Sequence, residues 1–236
     1  MEFYKLTNNG NDFIITFNDN TDTQNIKKLC NRYFSIGADG LIVISKDNEL
    51  KIYNSDGSKA KICGNGLICV SKLLSYINNN KSNIVYIDNK QYILDVDEQG
   101  FTSLIMPFPI MTSFKNGYLV NIENLHYIQI VNDIDKYDFT DKDLEIINKH
   151  KCNGHYITII NENTIKIKSY EYGANKTLSC GSGSTASFFV CNMLNKVINE
   201  VKVITEGGLL TCKVINNNYY LKGKAKLIYK GEYYGL

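Results

Sequence analysis

The 236-residue chain carries 26 basic and 24 acidic residues, a net charge of +2, and is 44% hydrophobic. That balance is globular and excludes a disordered or fibrous chain, and it gives no electrostatic reason to expect nucleic acid or an anionic membrane as partner. No apolar run is long enough to cross a bilayer, and MEFYKLTNNGNDFIITFN has no basic start followed by an apolar core, so a cytoplasmic protein is expected.

In chain order, residues 3–6, 12–17, 41–45 and 50–54 read as strands from their Ile, Val, Phe and Tyr content between Asn, Asp and Gly. A helix is expected from Thr23, as N-cap, to Phe34, with Ile26, Leu29, Cys30 and Tyr33 on one face. A second, largely apolar helix starts just after Cys63 and runs to about Ile77. Strands follow at 83–88, 92–97 and 102–106. The order then recurs, with strands at 117–122 and 126–131, a helix near 140–149 and strands at 156–160 and 164–170. A helix from Cys180 to about Val197 and four closing strands complete the second round.

This is an internal repeat. Aligning 53–66 with 170–183 superposes Tyr, Lys, Cys, Gly and Gly, giving Cys-Gly-Asn-Gly in one half and Cys-Gly-Ser-Gly in the other, each just before an apolar helix. The boundary is expected near Pro107–Pro109, the only two prolines. At a helix start the first N–H groups lack intrahelical partners and the dipole is positive, so a cysteine there is expected to have a lowered pKa. The glycines let backbone N–H groups approach an anion. Two such sites facing one another could hold one carboxylate between two thiols. One thiolate takes the proton from the adjacent carbon, the opposite thiol returns one to the other face, and the configuration inverts without a cofactor.

Other signals are weaker. The seven cysteines are odd in number and widely spaced, which argues for reduced thiols rather than a disulfide framework. Cys69, Cys191 and Cys212 lie in apolar stretches and read as core. Cys152-x-x-His155 resembles half of a zinc site, but no second half is evident among three histidines, so no metal is expected. The run 181–186 loosely fits a dinucleotide fingerprint, and Tyr172-x-x-x-Lys176 a dehydrogenase pair, but no glycine motif follows the first strand.

NNGNDF (8–13), GADGL (37–41), YNSDGSKAKICGNGLIC (53–69), YEYGANKTLSCGSGSTAS (170–187), GGLL (207–210) and GKAKLIYKGE (223–232) resemble the diaminopimelate epimerase family, in order and over nearly the whole chain. The resemblance implies an α+β fold of two pseudo-symmetric domains, each a β-barrel-like sheet around a central helix. The last strand returns to the first domain, giving 1–110 plus 228–236 and 111–227. It also implies a cofactor-independent isomerase whose partner is a small amino-acid substrate; a homodimer is compatible with it. Cys63 and Cys180 match the catalytic thiols, which should face one another across a cleft. Gly64 and Asn65 match one carboxylate-binding turn, and Gly181 and Ser182 the other. Asn11, Asn54, Asn124, Asn153 and Glu171 match substrate-binding positions. Tyr172 stands where the family has an arginine that pairs with the substrate's distal carboxylate, and Arg32, the only arginine, lies in an unrelated helix. The expected substrate is therefore an amino acid with a neutral or weakly basic side chain, histidine first, with diaminopimelate as the alternative.

Overall fold

The computed structural model describes residues 1–19 and 22–235. Its first half runs β1 (Glu2–Asn8), β2 (Asn11–Thr16), α1 (Thr23–Cys30), β3 (Gly40–Ile44), β4 (Leu50–Asn54), α2 (Gly64–Asn78), β5 (Ser82–Ile87), β6 (Lys90–Val96) and β7 (Thr102–Ile105). The second runs β8 (Ile110–Phe114), β9 (Gly117–Ile122), β10 (Asn124–Ile130), α3 (Asp141–His150), β11 (Asn153–Asn161), β12 (Thr164–Glu171), β13 (Asn175–Thr177), α4 (Gly181–Met193), β14 (Glu200–Thr205), β15 (Gly208–Ile215) and β16 (Asn218–Gly223), and β17 (Lys226–Glu232) ends the chain. The fold is α+β, mostly sheet, with four α-helices among the described residues. The chain divides into two compact units, Met1–Leu104 with the segment from Gly223 onward, and Ile105–Lys222.

Within the first unit, β17, β1, β2, β3 and β4 form one sheet in that order, and β5, β6 and β7 a meander. β1 and β2 are antiparallel, β3 pairs parallel to β2 after α1, and β4 returns antiparallel. Within the second unit the order is β16, β15, β14, β12, β11, β10, β9, β8, with β13 on the side of β12. Here β9 and β10 are antiparallel, β11 pairs parallel to β10 after α3, and β12 returns antiparallel. The two halves thus share hairpin, crossover helix, hairpin, central helix and three-strand meander.

The central helix of each half carries apolar or small uncharged residues on nearly every side, Lys72 excepted, and is covered along most of its length. In the first unit α2 packs against β1, β2, β17, β5 and β6. In the second, α4 packs against β9, β10, β11, β12, β14 and β15, and Gly181–Cys191 is buried without interruption. Among the described residues neither sheet closes on itself, so the barrel-like expectation resolves into open sheets wrapped on a helix. No described helix is long and apolar enough to cross a membrane.

Two helix expectations need correction. α1 is capped by Asp22, whose carboxylate accepts from Asn25 N–H at 2.8 Å, rather than by Thr23. It ends at Cys30 because the Asn31 side chain accepts from the N–H groups of Tyr33 and Phe34, turning the chain away. Tyr33 is therefore 91% exposed instead of continuing the apolar face. α4 stops at Met193, short of Val197, where Asn195 takes a left-handed φ of 54°.

Candidate active site

Cys63 and Cys180 occupy equivalent positions as N-caps of the two central helices. Both have extended backbone (φ −139°, ψ 107° and φ −124°, ψ 110°), and each sulfur accepts the N–H three residues on, Gly66 at 3.3 Å and Gly183 at 3.4 Å. The shared Cys-Gly-x-Gly motif thus has one cap geometry in both units.

Around α2 the neighbours are amides. Asn9 and Gly10 have φ 50° and 79°, the two left-handed positions of a tight hairpin turn, which sets Asn8 opposite Asn11. Asn8 Nδ2 donates to Asn65 Oδ1 at 3.0 Å, Asn65 Nδ2 to Asn11 Oδ1 at 3.3 Å, and Asn11 Nδ2 to Asp39 Oδ2 at 2.9 Å. The helix start is thereby tied to the β1–β2 hairpin. Asp39 and Asp12 are held in turn by Arg32, which forks onto Asp12 at 2.6 and 3.1 Å and reaches Asp39 at 2.7 Å, while Lys5 meets Asp12 at 2.7 Å. Burial raises the pKa of Asp12, but the hydrogen bonds and charges of Arg32 and Lys5 outweigh it and bring the group to about 2. Arg32 lies in the loop after α1, and its guanidinium is held by Asp12 and Asp39 of its own unit.

Around α4 the neighbours are ionisable. On the adjacent strands β10, β11 and β12, His126 Nδ1 meets His155 Nε2 at 2.9 Å and His155 Nδ1 meets Ser169 Oγ at 2.9 Å. All three residues are buried. The His155 ring lies against Gly183, where an added Cβ would come within 2.3 Å of it. Burial pushes His126 down to about 3, and burial with the neighbouring His126 pushes His155 well below its usual value, so both rings are neutral at pH 7. Glu171 accepts from Thr177 Oγ1 at 2.6 Å and borders Cys180. The Cys180 thiol is pushed well above its ordinary pKa by burial first and by Glu171 second, against the opposing N–H of Gly183 and hydroxyl of Ser182, 3.7 Å from the sulfur. This overturns the expectation of a lowered pKa at that helix start: the cap supplies its N–H, but desolvation outweighs it.

Of the residues singled out by sequence, Asn65 and Asn11 come together at the α2 start, and Gly64 opens that helix. Gly181, Ser182 and Glu171 gather at Cys180. Asn153 Oδ1 accepts the Tyr172 N–H at 3.0 Å, and Tyr172 is half exposed. Asn124 lies two residues before His126 on β10, hence on the same strand face. Asn54 instead holds the turn after β4 through Ser58 Oγ at 2.9 Å.

Asn8, His126 and His155 were not singled out as site residues. Asn8 was findable as the residue across a two-residue turn from Asn11. His155 does not pair with Cys152, which belongs to an apolar cluster with Tyr127, Ile146 and Ile147. Instead His126, His155 and Cys180 bring potential donor atoms within 4.8 Å of one another. The ring centroids lie 5.1 Å apart, close to the nitrogen–nitrogen distance plus a ring radius at each end. The imidazoles therefore meet head-on and direct those nitrogens at each other, not at a shared third point.

The diaminopimelate epimerase family model matches residues 3–99 and 118–228. A diaminopimelate epimerase of Prochlorococcus marinus is 33% identical over 98% of both chains, and one from Campylobacter jejuni 32% over 99% of both. Among solved structures, a phenazine biosynthesis protein of the PhzF family from Bacillus anthracis superposes with a TM-score of 0.80 over 99% of each chain at 12% identity, a likeness of fold. With two thiols capping equivalent helices and family-wide similarity along nearly its whole length, the chain belongs to the diaminopimelate epimerase family, an isomerase family.

Proposed function

We propose that the protein is a racemase of free amino acids that needs neither pyridoxal phosphate nor a metal, with histidine as its foremost substrate. The observation that carries the reading is the pair of cysteine caps: one motif, used twice, places a thiol at the N-terminus of the central helix in each unit. One thiolate would remove the α-proton while the other thiol returns a proton to the opposite face, and helix N–H groups would stabilise charge spreading into the carboxylate. The high pKa of Cys180 suits a group that rests as the thiol. Glu171, beside Cys180, suits the substrate's α-ammonium.

The substrate assignment rests on charge. Tyr172 replaces the family's arginine, and Arg32 is taken up by Asp12 and Asp39, which leaves no guanidinium for a distal carboxylate. An imidazole needs none and can stack on a tyrosine ring. The relatives' name favours a second reading, diaminopimelate epimerisation with a rebuilt distal site. A chiral screen of the common amino acids and diaminopimelate in deuterated water decides between them. L- and D-histidine are expected to interconvert to a near-equal mixture with deuterium entering at Cα. The highest kcat/KM on diaminopimelate would reject the histidine reading, and no exchange into any amino acid would reject racemisation itself.

A further inference from the structure

The three amides at the start of α2 run in one direction, and a single carboxylate sets it. Asp39 receives the Arg32 guanidinium at 2.7 Å and the Asp12 backbone N–H at 3.1 Å, so its carboxylate acts only as an acceptor. Asn11 must then turn Nδ2 toward Asp39 and leave Oδ1 for Asn65. Asn65 must in turn offer Nδ2 to Asn11, which leaves its Oδ1 in need of a donor on the other side. Asn8 supplies that donor. Reversing any one amide would set two oxygens or two N–H groups against each other.

The direction is matched to burial. The Asn8–Asn65 contact is buried, the Asn65–Asn11 contact partly buried and the Asn11–Asp39 contact exposed. Asn65 therefore keeps its one side-chain acceptor on the buried side and turns its nitrogen toward the open side, beside a helix N-terminus that favours anions. Asn8 gains little for itself. It is fully buried, and its own Oδ1 has no partner among the described residues. A buried carbonyl oxygen without a donor lowers stability, so the stability of β1 does not account for an asparagine at this position.

Resting on the reading that the start of α2 receives the substrate carboxylate, we propose that Asn8 is a positioning residue for substrate binding. Its side-chain N–H locks the Asn65 amide with the oxygen inward and the nitrogen outward, so that Asn65 presents its N–H rather than its oxygen to the carboxylate. Without that donor the oxygen is stranded in a buried place, and the amide escapes only by turning the oxygen outward, toward the anion.

The test has two arms. Neutron diffraction from a deuterium-exchanged wild-type crystal distinguishes amide nitrogen from oxygen. It should place deuterium on Asn8 Nδ2 facing Asn65 Oδ1, and on Asn65 Nδ2 facing Asn11 Oδ1. An Asn65 oxygen facing Asn11 overturns the proposal, whatever any variant does. The second arm is a double-mutant cycle, using the amino acid that wild type racemises fastest in the chiral screen. Asn8→Leu should raise KM about 10-fold with kcat within about three-fold, and Asn65→Ala should raise KM at least as much. Adding Asn8→Leu to Asn65→Ala should change KM by less than about two-fold, because Asn8 acts only through Asn65. A folded Asn8→Leu variant with wild-type KM, or a loss that multiplies with that of Asn65→Ala, overturns the proposal. If the wild type racemises nothing, the functional reading fails, while diffraction still decides which way the relay runs.

Discussion

The two thiol caps share a backbone and differ in nearly everything around it. At Cys63 the helix start is tied down by three asparagines ending in an Asp39–Asp12–Arg32 cluster, whereas Cys180 is only 4% exposed and lies near a carboxylate and two neutral imidazoles. The motif therefore sets where a thiol stands and which N–H it receives, but not how easily it ionises. At Cys180 ionisation is set by burial first and by the Glu171 carboxylate second. A repeat can in this way keep one cap geometry while surrounding its two copies with different side chains.

The sharpest way to break the comparison is to remove the thiols one at a time. Cys63→Ser and Cys180→Ser should each lower racemisation on the order of 1,000-fold, because a hydroxyl is a much weaker acid and base at neutral pH. Cys69→Ser, fully buried in the core, should leave kcat near wild type if the protein folds. Normal turnover with either cap replaced would end the two-thiol reading.

A smaller effect should separate the equivalent glycines. A Cβ at Gly183 meets the rigid His155 ring at 2.3 Å, whereas one at Gly66 meets the flexible tip of Ile42 at 2.9 Å. Gly183→Ala should cost about 3 kcal/mol of stability and Gly66→Ala about 1 kcal/mol by urea unfolding. Equal costs would mean that the two helix starts are packed alike.

The smallest effect belongs to the acid cluster at the first cap. Asp12 has a folded pKa of about 2, below its ordinary 3.8, so its contribution is present above about pH 4 and is lost as pH falls toward 2. Asp12→Asn should reduce stability at pH 7 and flatten its decline between pH 4 and 2. A decline as steep as wild type over that window would place the acid sensitivity elsewhere.

What the sequence revealed was whatever is local. The caps, the starts of α2 and α4 and the internal repeat follow from motif and periodicity within a single segment. The end of α1 was not legible, because Asn31 closing a turn on Tyr33 and Phe34 competes with a helical pattern that reads straight through it. The His126–His155 pair was invisible for a different reason. It depends on the parallel register of β10 and β11, strands separated by a helix, and no spacing within either segment encodes that pairing. The rise in the Cys180 pKa was missed because a helix start is visible in sequence and desolvation is not.

The pairing of β1 with β17 has a consequence for how the molecule is made. β17, together with the contacts between Met1 and Tyr233, completes the first unit, whereas every strand from β8 to β16 in the second unit is translated before β17. During synthesis the earlier-made half must wait with one flank of β1 unpaired, and the later-made half reaches its full complement of strands first. The last strand made is therefore the one that completes the first-made unit.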